Sequence, residues 1–225
     1  MQLEHLLYPN LEAAFLKRKA SFLARLGSGS ACRSIEGGLV VWGQHKGISG
    51  SSDLQGLKFP SEVHAVFQDY KDAILLVDKG EKQVSSSVGH NLMYQHPFAT
   101  QRFEQAHTHL DQLITILKNG DLAGFIKIVE LEALTLHAMM MCSDPYFILM
   151  KPNTLEIINA LWQFRMARNI PVCFTLDAGA NVHVLYPKKY TLEVNEFIRT
   201  KLANYCQNKH YILSLIHISE PTRRT

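Results

Sequence analysis

Two short apolar runs, VCFTLD at 172–177 and NVHVLY at 181–186, stand with only Ala178-Gly179-Ala180 between them. Runs of this length read as strands, because a helix needs about twice as many residues. The link leaves no room for another element, so this part of the chain is committed to a sheet. Asp177 closes the first strand and is followed at once by small residues. A carboxylate held at the end of a rigid strand and facing open space is how a base is positioned against a hydroxyl. An ordinary Asx-type turn uses the same residues, and the turn alone does not choose between the two.

Helical spacing surrounds the strands. Residues 11–26 place Leu11, Phe15, Phe22 and Leu26 at helical intervals, and 98–117 repeat the pattern up to a stop at Asn119-Gly120. A further helix starts near Asp121, with Leu122, Phe125, Ile126, Val129 and Leu136 on its apolar side. Another runs over 153–168, opened by a capping box of Asn153 and Glu156 and closed before Pro171. A last helix covers 191–204. GGLVVW at 37–42 and AILLVD at 73–78 read as strands, and 43–60 as loop. Helices interleaved with short strands predict an α/β sandwich, with helices packed on a sheet.

Composition narrows the function classes. With 47% hydrophobic and 19% charged residues, the chain has the balance of a globular protein. Its net charge of +3 comes from scattered Lys and Arg, so no basic patch argues for nucleic acid. No stretch approaches the 18 or so apolar residues that a membrane helix needs, and the N-terminal residues do not form a signal peptide. Cys32, Cys142, Cys173 and Cys206 are widely spaced and form no CxxC, which fits free thiols in a reducing cytoplasm. Eleven histidines include no HExxH, and His107 and His109 do not share a helical face. His137 and His183 read as core or surface histidines, and Met139–Met141 and Trp162 as core filler.

The densest feature is Gly27-Ser28-Gly29-Ser30-Ala31-Cys32-Arg33-Ser34. Small residues let backbone N–H groups approach a ligand, hydroxyls at 28, 30 and 34 add donors, and a helix starting after the loop would favour an anion. Arg33 adds a planar fork suited to a carboxylate or a phosphate. The pattern is neither a Walker A loop nor GxGxxG, and a structural turn competes with the anion site. Cys32 reads as a small buried packing residue. Lys82, beside Ser85, Ser86 and Ser87, is a phosphate-binding candidate or a solvated loop.

Taken together, GSGSACRS, the GG-strand-Trp element after it, EKQVSSSVG and TLDAGANVHVL resemble the mevalonate diphosphate decarboxylase branch of the galactose, homoserine, mevalonate and phosphomevalonate kinase superfamily. The resemblance covers roughly residues 20–205. It implies an α+β, two-domain kinase-superfamily fold: a partial ribosomal-protein-S5-like N-terminal domain at 1–82 and a ferredoxin-like C-terminal α/β sandwich at 83–210. Segment 211–225 is expected to be a non-native tail, since LSLIHISEPTRRT from 213 onward resembles a translated sequencing adapter. By the same resemblance, ATP and Mg²⁺ serve to phosphorylate the 3-hydroxyl of mevalonate 5-diphosphate, which then loses phosphate and CO2. Asp177 matches the aspartate that orients or deprotonates the hydroxyl, and Arg33 the arginine that holds the carboxylate. Ser28 and Ser30, with Gly29 between them, match the lining of the diphosphate-substrate pocket. Lys82 and Ser86 match the lysine and serine near the phosphates.

The pattern also departs from the family. Nothing in 1–26 resembles the PxxxGLASSA-type nucleotide loop, and Ser87 stands where many bacterial members carry arginine. The expectation is that about half of the N-terminal domain is missing and that the chain alone folds poorly and is inactive. A small-molecule kinase of the same superfamily and a non-catalytic remnant are the competing functions. The resemblance further implies a homodimer when the protein is full length. Cysteine usage, scattered charge and the lack of a long apolar run set the expectation of a cytoplasmic protein with no nucleic-acid or membrane partner.

Overall fold

The computed structural model describes residues 12–80, 92–93 and 95–215. These residues form an α+β chain of two compact units, divided between Glu62 and Val63.

The first unit contains helix α1 (Ala13–Gly27), a 3-10 helix (Gly29–Ile35) and strands β1 (Val40–Trp42) and β2 (Gly56–Lys58), paired antiparallel with Val41 opposite Leu57. Its buried apolar residues include Leu16, Cys32, Val41, Ile48 and Phe59. Two details differ from the sequence expectation. Gly37 and Gly38 have φ of 69° and 64° and lie in a bend ahead of β1, where the whole of 37–42 was expected to be strand. The stretch 43–60, expected to be loop, contains β2, which a three-residue strand with one apolar side chain does not announce.

The second unit is a four-stranded antiparallel sheet in the order β4-β5-β3-β6, formed by β3 (Tyr70–Leu75), β4 (Cys173–Leu176), β5 (Val182–Pro187) and β6 (Tyr211–Leu215). β6 takes in Leu213, Ser214 and Leu215, paired with Ala73, Asp72 and Lys71. Among the described residues, four helices accompany the sheet: α2 (Ala99–Asn119), α3 (Leu122–Met141), α4 (Pro152–Arg168) and α5 (Thr191–Thr200). Alternation along the strands puts Ala73, Leu75, Phe174, Leu176, Val182, Val184 and Tyr186 into one core. Against it pack Ile157, Ile158 and Leu161 of α4 and Val194 and Ile198 of α5. α3 lies beside β4.

The helix boundaries follow local chemistry. Gly120, with φ of 75°, ends α2 in the left-handed region, and Asp121 caps α3 by accepting the Gly124 N–H at 2.9 Å. The capping box expected of Asn153 and Glu156 is not formed. The helix begins one residue earlier, at Pro152, so Thr154 occupies the third position and accepts the Lys151 N–H at 3.1 Å, while Asn153 donates to the Tyr205 carbonyl. The expected helix over 191–204 breaks at Lys201, after which Leu202–Tyr205 tightens into a 3-10 turn that buries Leu202 and Ala203.

Candidate active site

The glycine-serine loop lies in the first unit. α1 runs up to Gly27, and Ser28 continues in extended backbone. The 3-10 helix begins inside the loop, at Gly29, so the condition of a helix starting after it is not met. Its three-residue period sets Ser30 and Arg33 one above the other, with Arg33 Nε 3.4 Å from the Ser30 carbonyl. Ser28, Gly29, Ser30 and Arg33 are all exposed on this short element, while Cys32 is buried with its Sγ turned to the Gly29 carbonyl at 3.2 Å. The structure therefore groups these four candidates and keeps the thiol inside as packing.

The loop is fixed from beneath by a residue that sequence reasoning did not single out. Ser21, buried on α1, donates to the Cys32 carbonyl and accepts the Gly56 N–H, both at 2.9 Å. The backbones meet so closely that a Cβ on Gly56 would lie 3.0 Å from the Cys32 oxygen and 2.9 Å from Val40 Cγ1. A lone serine in a helical stretch carries no signal of such a role, because most helical serines face water.

Asp177 belongs to the second unit. The last β4–β5 pair is Leu176 with Val182, so Asp177 opens the connecting turn. Its residue is exposed, but the turn backbone is not loose. The Gly179 N–H meets the Asp177 carbonyl at 2.7 Å, and His137 Nε2 lies 3.1 Å from that same oxygen. Thr154 donates to the Ala180 carbonyl at 2.7 Å, and Asn181 Oδ1 accepts the Asp78 N–H at 3.0 Å. Of the two expected alternatives, core or surface, His137 is a core histidine, and burial holds its pKa below the ordinary value, against a smaller opposing effect of the Asp177 carbonyl. On the strand beside the turn, His183 sits 3.0 Å from Asp72 Oδ2, and that hydrogen bond is the main cause of its raised pKa.

Lys82 and Ser86 lie outside the described residues, as do Ser85 and Ser87. Among the described residues, no group of three or more His, Cys, Asp or Glu side chains is placed to hold a metal ion. A magnesium ion carried on a nucleotide needs only one or two protein carboxylates, its other ligands being phosphate and water. The exposed Asp177 carboxylate is compatible with that modest demand.

Known proteins match both units. The family described as mevalonate 5-diphosphate decarboxylase C-terminal domain matches residues 73–222, and the diphosphomevalonate decarboxylase-like N-terminal domain matches residues 7–54. The diphosphomevalonate decarboxylase of Aspergillus fumigatus is 29% identical over 172 residues, 75% of this chain and 42% of the relative. A phosphomevalonate decarboxylase of Haloferax volcanii is 24% identical over 186 residues, 80% of this chain and 53% of the relative. The chain spans about half the length of the curated relatives it matches. Among solved structures, mevalonate diphosphate decarboxylase from Staphylococcus aureus superposes with a TM-score of 0.75 at 26% identity, over 89% of this chain and 58% of that one. The enzyme from Enterococcus faecalis gives 0.74 at 26%, over 92% and 58%. The structure of MDDEF in complex with MVAPP, AMPPCP and magnesium gives 0.75 at 28%, over 92% and 59%. With one family domain matched over most of the second unit and its companion over the first, this chain belongs to the mevalonate 5-diphosphate decarboxylase family.

Proposed function

We propose that the complete protein carrying this chain converts mevalonate 5-diphosphate, ATP and Mg²⁺ to isopentenyl diphosphate, ADP, phosphate and CO2. The observation that carries this reading is Asp177, an exposed carboxylate at the end of β4 whose backbone turn is fastened to buried groups. A side chain presented to solvent on an immobile backbone suits the capture of a proton from a hydroxyl. Family membership and the likeness to a structure holding MVAPP, AMPPCP and magnesium support the choice of substrates.

ATP supplies the phosphoryl group that turns the tertiary hydroxyl into a leaving group, and the metal offsets phosphate charge. Asp177 orients the 3-hydroxyl and takes its proton as that oxygen bonds to the γ-phosphorus and the bond from the γ-phosphorus to the β-phosphate oxygen breaks, releasing ADP. When the C3–O bond breaks, phosphate departs with its electron pair. The C1–C2 pair then becomes the C2–C3 double bond, and C1 leaves as CO2. A tertiary alcohol is a poor nucleophile, so alignment accounts for most of the acceleration. Arg33 holds the carboxylate through a planar fork, with Ser28, Gly29 and Ser30 beside it for the diphosphate. Lys82 and Ser86 contact phosphates.

In this reading the second unit is the ferredoxin-like half, supported by the strand order β4-β5-β3-β6. The first unit belongs to an S5-like half. The protein acts as a cytoplasmic homodimer, with no nucleic-acid or membrane partner; no described helix is long and apolar enough to cross a membrane.

The test is to follow ADP and CO2 together in the complete protein, with mevalonate 5-diphosphate and with the 5-monophosphate. Equal amounts of both products from the diphosphate, lost in Asp177→Asn, are expected. ADP without CO2 would make the protein a kinase, preference for the monophosphate would change the substrate, and neither product would leave a non-catalytic member.

A further inference from the structure

The backbone that carries Asp177 is gripped from two helices by side chains that do not reach solvent. His137 of α3 is buried, with its Nε2 3.1 Å from the Asp177 carbonyl oxygen. A carbonyl can only accept, so Nε2 carries the proton and the ring is the Nε2–H tautomer. Thr154 of α4 is fully buried, and its hydroxyl donates to the Ala180 carbonyl at 2.7 Å while accepting the Lys151 N–H at 3.1 Å. The two contacts fall at either end of the turn, ahead of Val182, where ladder pairing resumes. Among the described residues, β4 is an edge strand, paired only with β5. Beyond Leu176 the ladder does not hold the chain, so its aim depends on these contacts, together with Asn181 accepting the Asp78 N–H.

We infer that His137 and Thr154 are positioning residues, a buried two-point clamp that fixes the Asp177 carboxylate for the transfer step. The inference rests on the proposed function for the meaning of that carboxylate. The clamp acts on the main chain, which leaves the carboxylate free to meet a substrate. A displacement of about 1 Å at a reacting group costs roughly a hundredfold in rate. Substrate grip depends on other side chains, so the clamp belongs to kcat and not to KM. The neutral ring suits the role, since a charge so close would hold the Asp177 proton less readily after transfer.

The test uses His137→Leu, which removes the donor, and His137→Gln, whose amide nitrogen can stand where Nε2 stands. Thr154→Val and Thr154→Ser form a second pair in case His137→Leu does not fold. In the complete protein, His137→Leu and Thr154→Val are expected to lower kcat by about a hundredfold with KM within about threefold. Gln and Ser are expected to recover most of the loss. A folded Leu or Val variant with wild-type kcat overturns the clamp, as does a loss that the conservative partner does not recover. Asp177→Asn in the same series separates the readings. If wild type gives no CO2, or Asp177→Asn gives as much as wild type, the proposed function fails. The clamp is then judged without turnover, by amide exchange at Gly179, whose N–H meets the same Asp177 oxygen. Exchange at least tenfold faster in His137→Leu and not in His137→Gln supports it, and equal exchange in both overturns it.

Discussion

The His183 imidazole meets the Asp72 carboxylate across two neighbouring strands, Nδ1 3.0 Å from one oxygen and 3.2 Å from the other. His183 is opposite Ile74 and Asp72 opposite Leu185, so the pair spans one diagonal step of the β3–β5 ladder. The hydrogen bond raises the histidine's pKa, burial opposes the rise, and the charges of Asp72 and Asp177 add to it. A raised folded-state pKa gives stability that is complete below the unfolded value of about 6.5 and disappears as pH climbs through the folded one. The stability advantage of wild type over His183→Gln is therefore expected to be larger near about pH 5.5 than near about pH 8.5. Its size is that of a partly exposed pair, up to about 1 kcal/mol. Urea unfolding of both proteins at the two pH values checks this, and an advantage that grows with pH contradicts it.

Ser21 ties α1 to both the glycine-serine loop and β2 through one hydroxyl. Alanine there leaves a buried carbonyl and a buried N–H without their partner, a cost of about 1–3 kcal/mol for each group not reached by water. The same loss loosens the residue next to Arg33. Ser21→Ala is expected to lower the melting temperature and to raise KM for the phosphorylated acid more than it lowers kcat. Gly56→Ala is expected to do likewise, since its new methyl meets Cys32 O and Val40 at about 3 Å. Melting curves and initial rates on the two variants test both effects, and an unaltered KM in stable variants excludes the link to the loop.

Glu130 and Arg165 form a pair between α3 and α4. Oε1 lies 2.6 Å from Nη1 and Oε2 3.1 Å from Nη2, Trp162 donates to Oε2 at 3.0 Å, and Arg165 also reaches the Val172 carbonyl. Glu130 is buried. Removing the cation alone strands a desolvated carboxylate, so Arg165→Met is expected to destabilise by about 3–5 kcal/mol. The double change Glu130→Leu with Arg165→Met removes both charges and is expected to cost less than the single one. Denaturant midpoints decide, and a double variant weaker than Arg165→Met is the contrary result.

Elements with a strong period or a marked end were legible from the chain. Asn119-Gly120-Asp121 marked one helix stop and the next start, because glycine readily takes the φ of 75° found there and aspartate caps the helix beginning at Leu122. The strands about Asp177 were legible because both are apolar and the link is short. β2 was not, because three residues carry no period. The cap of α4 was misplaced by two residues, from Lys151 to Asn153, since nothing in the sequence marks Lys151 as a cap. Only the fold brings Thr154 to the third helical position, where its hydroxyl meets the Lys151 N–H and the Ala180 carbonyl. Within the site, the residues expected to touch ligand carry rare local patterns. Ser21, His137 and Thr154 act on main-chain atoms distant in sequence, between 11 and 40 residues away, and no local pattern records such a contact.

Arg33 offers the sharpest separation of stability from chemistry. It is exposed on the 3-10 helix, with a 3.4 Å approach to the Ser30 carbonyl through Nε. Removing an exposed side chain away from the core changes stability by no more than about 0.5 kcal/mol, so Arg33→Gln is expected to melt with wild type. Its proposed task is to align a carboxylate through paired charged hydrogen bonds, each worth about 1.5–3 kcal/mol. Loss of that fork is expected to reduce CO2 release by roughly a hundredfold or more. Lysine keeps the charge but not the planar fork, so Arg33→Lys is expected to recover little. Assays of CO2 release by the complete protein and both variants test this. Unchanged turnover in Arg33→Gln removes Arg33 from the site, and full recovery by lysine reduces its part to charge alone.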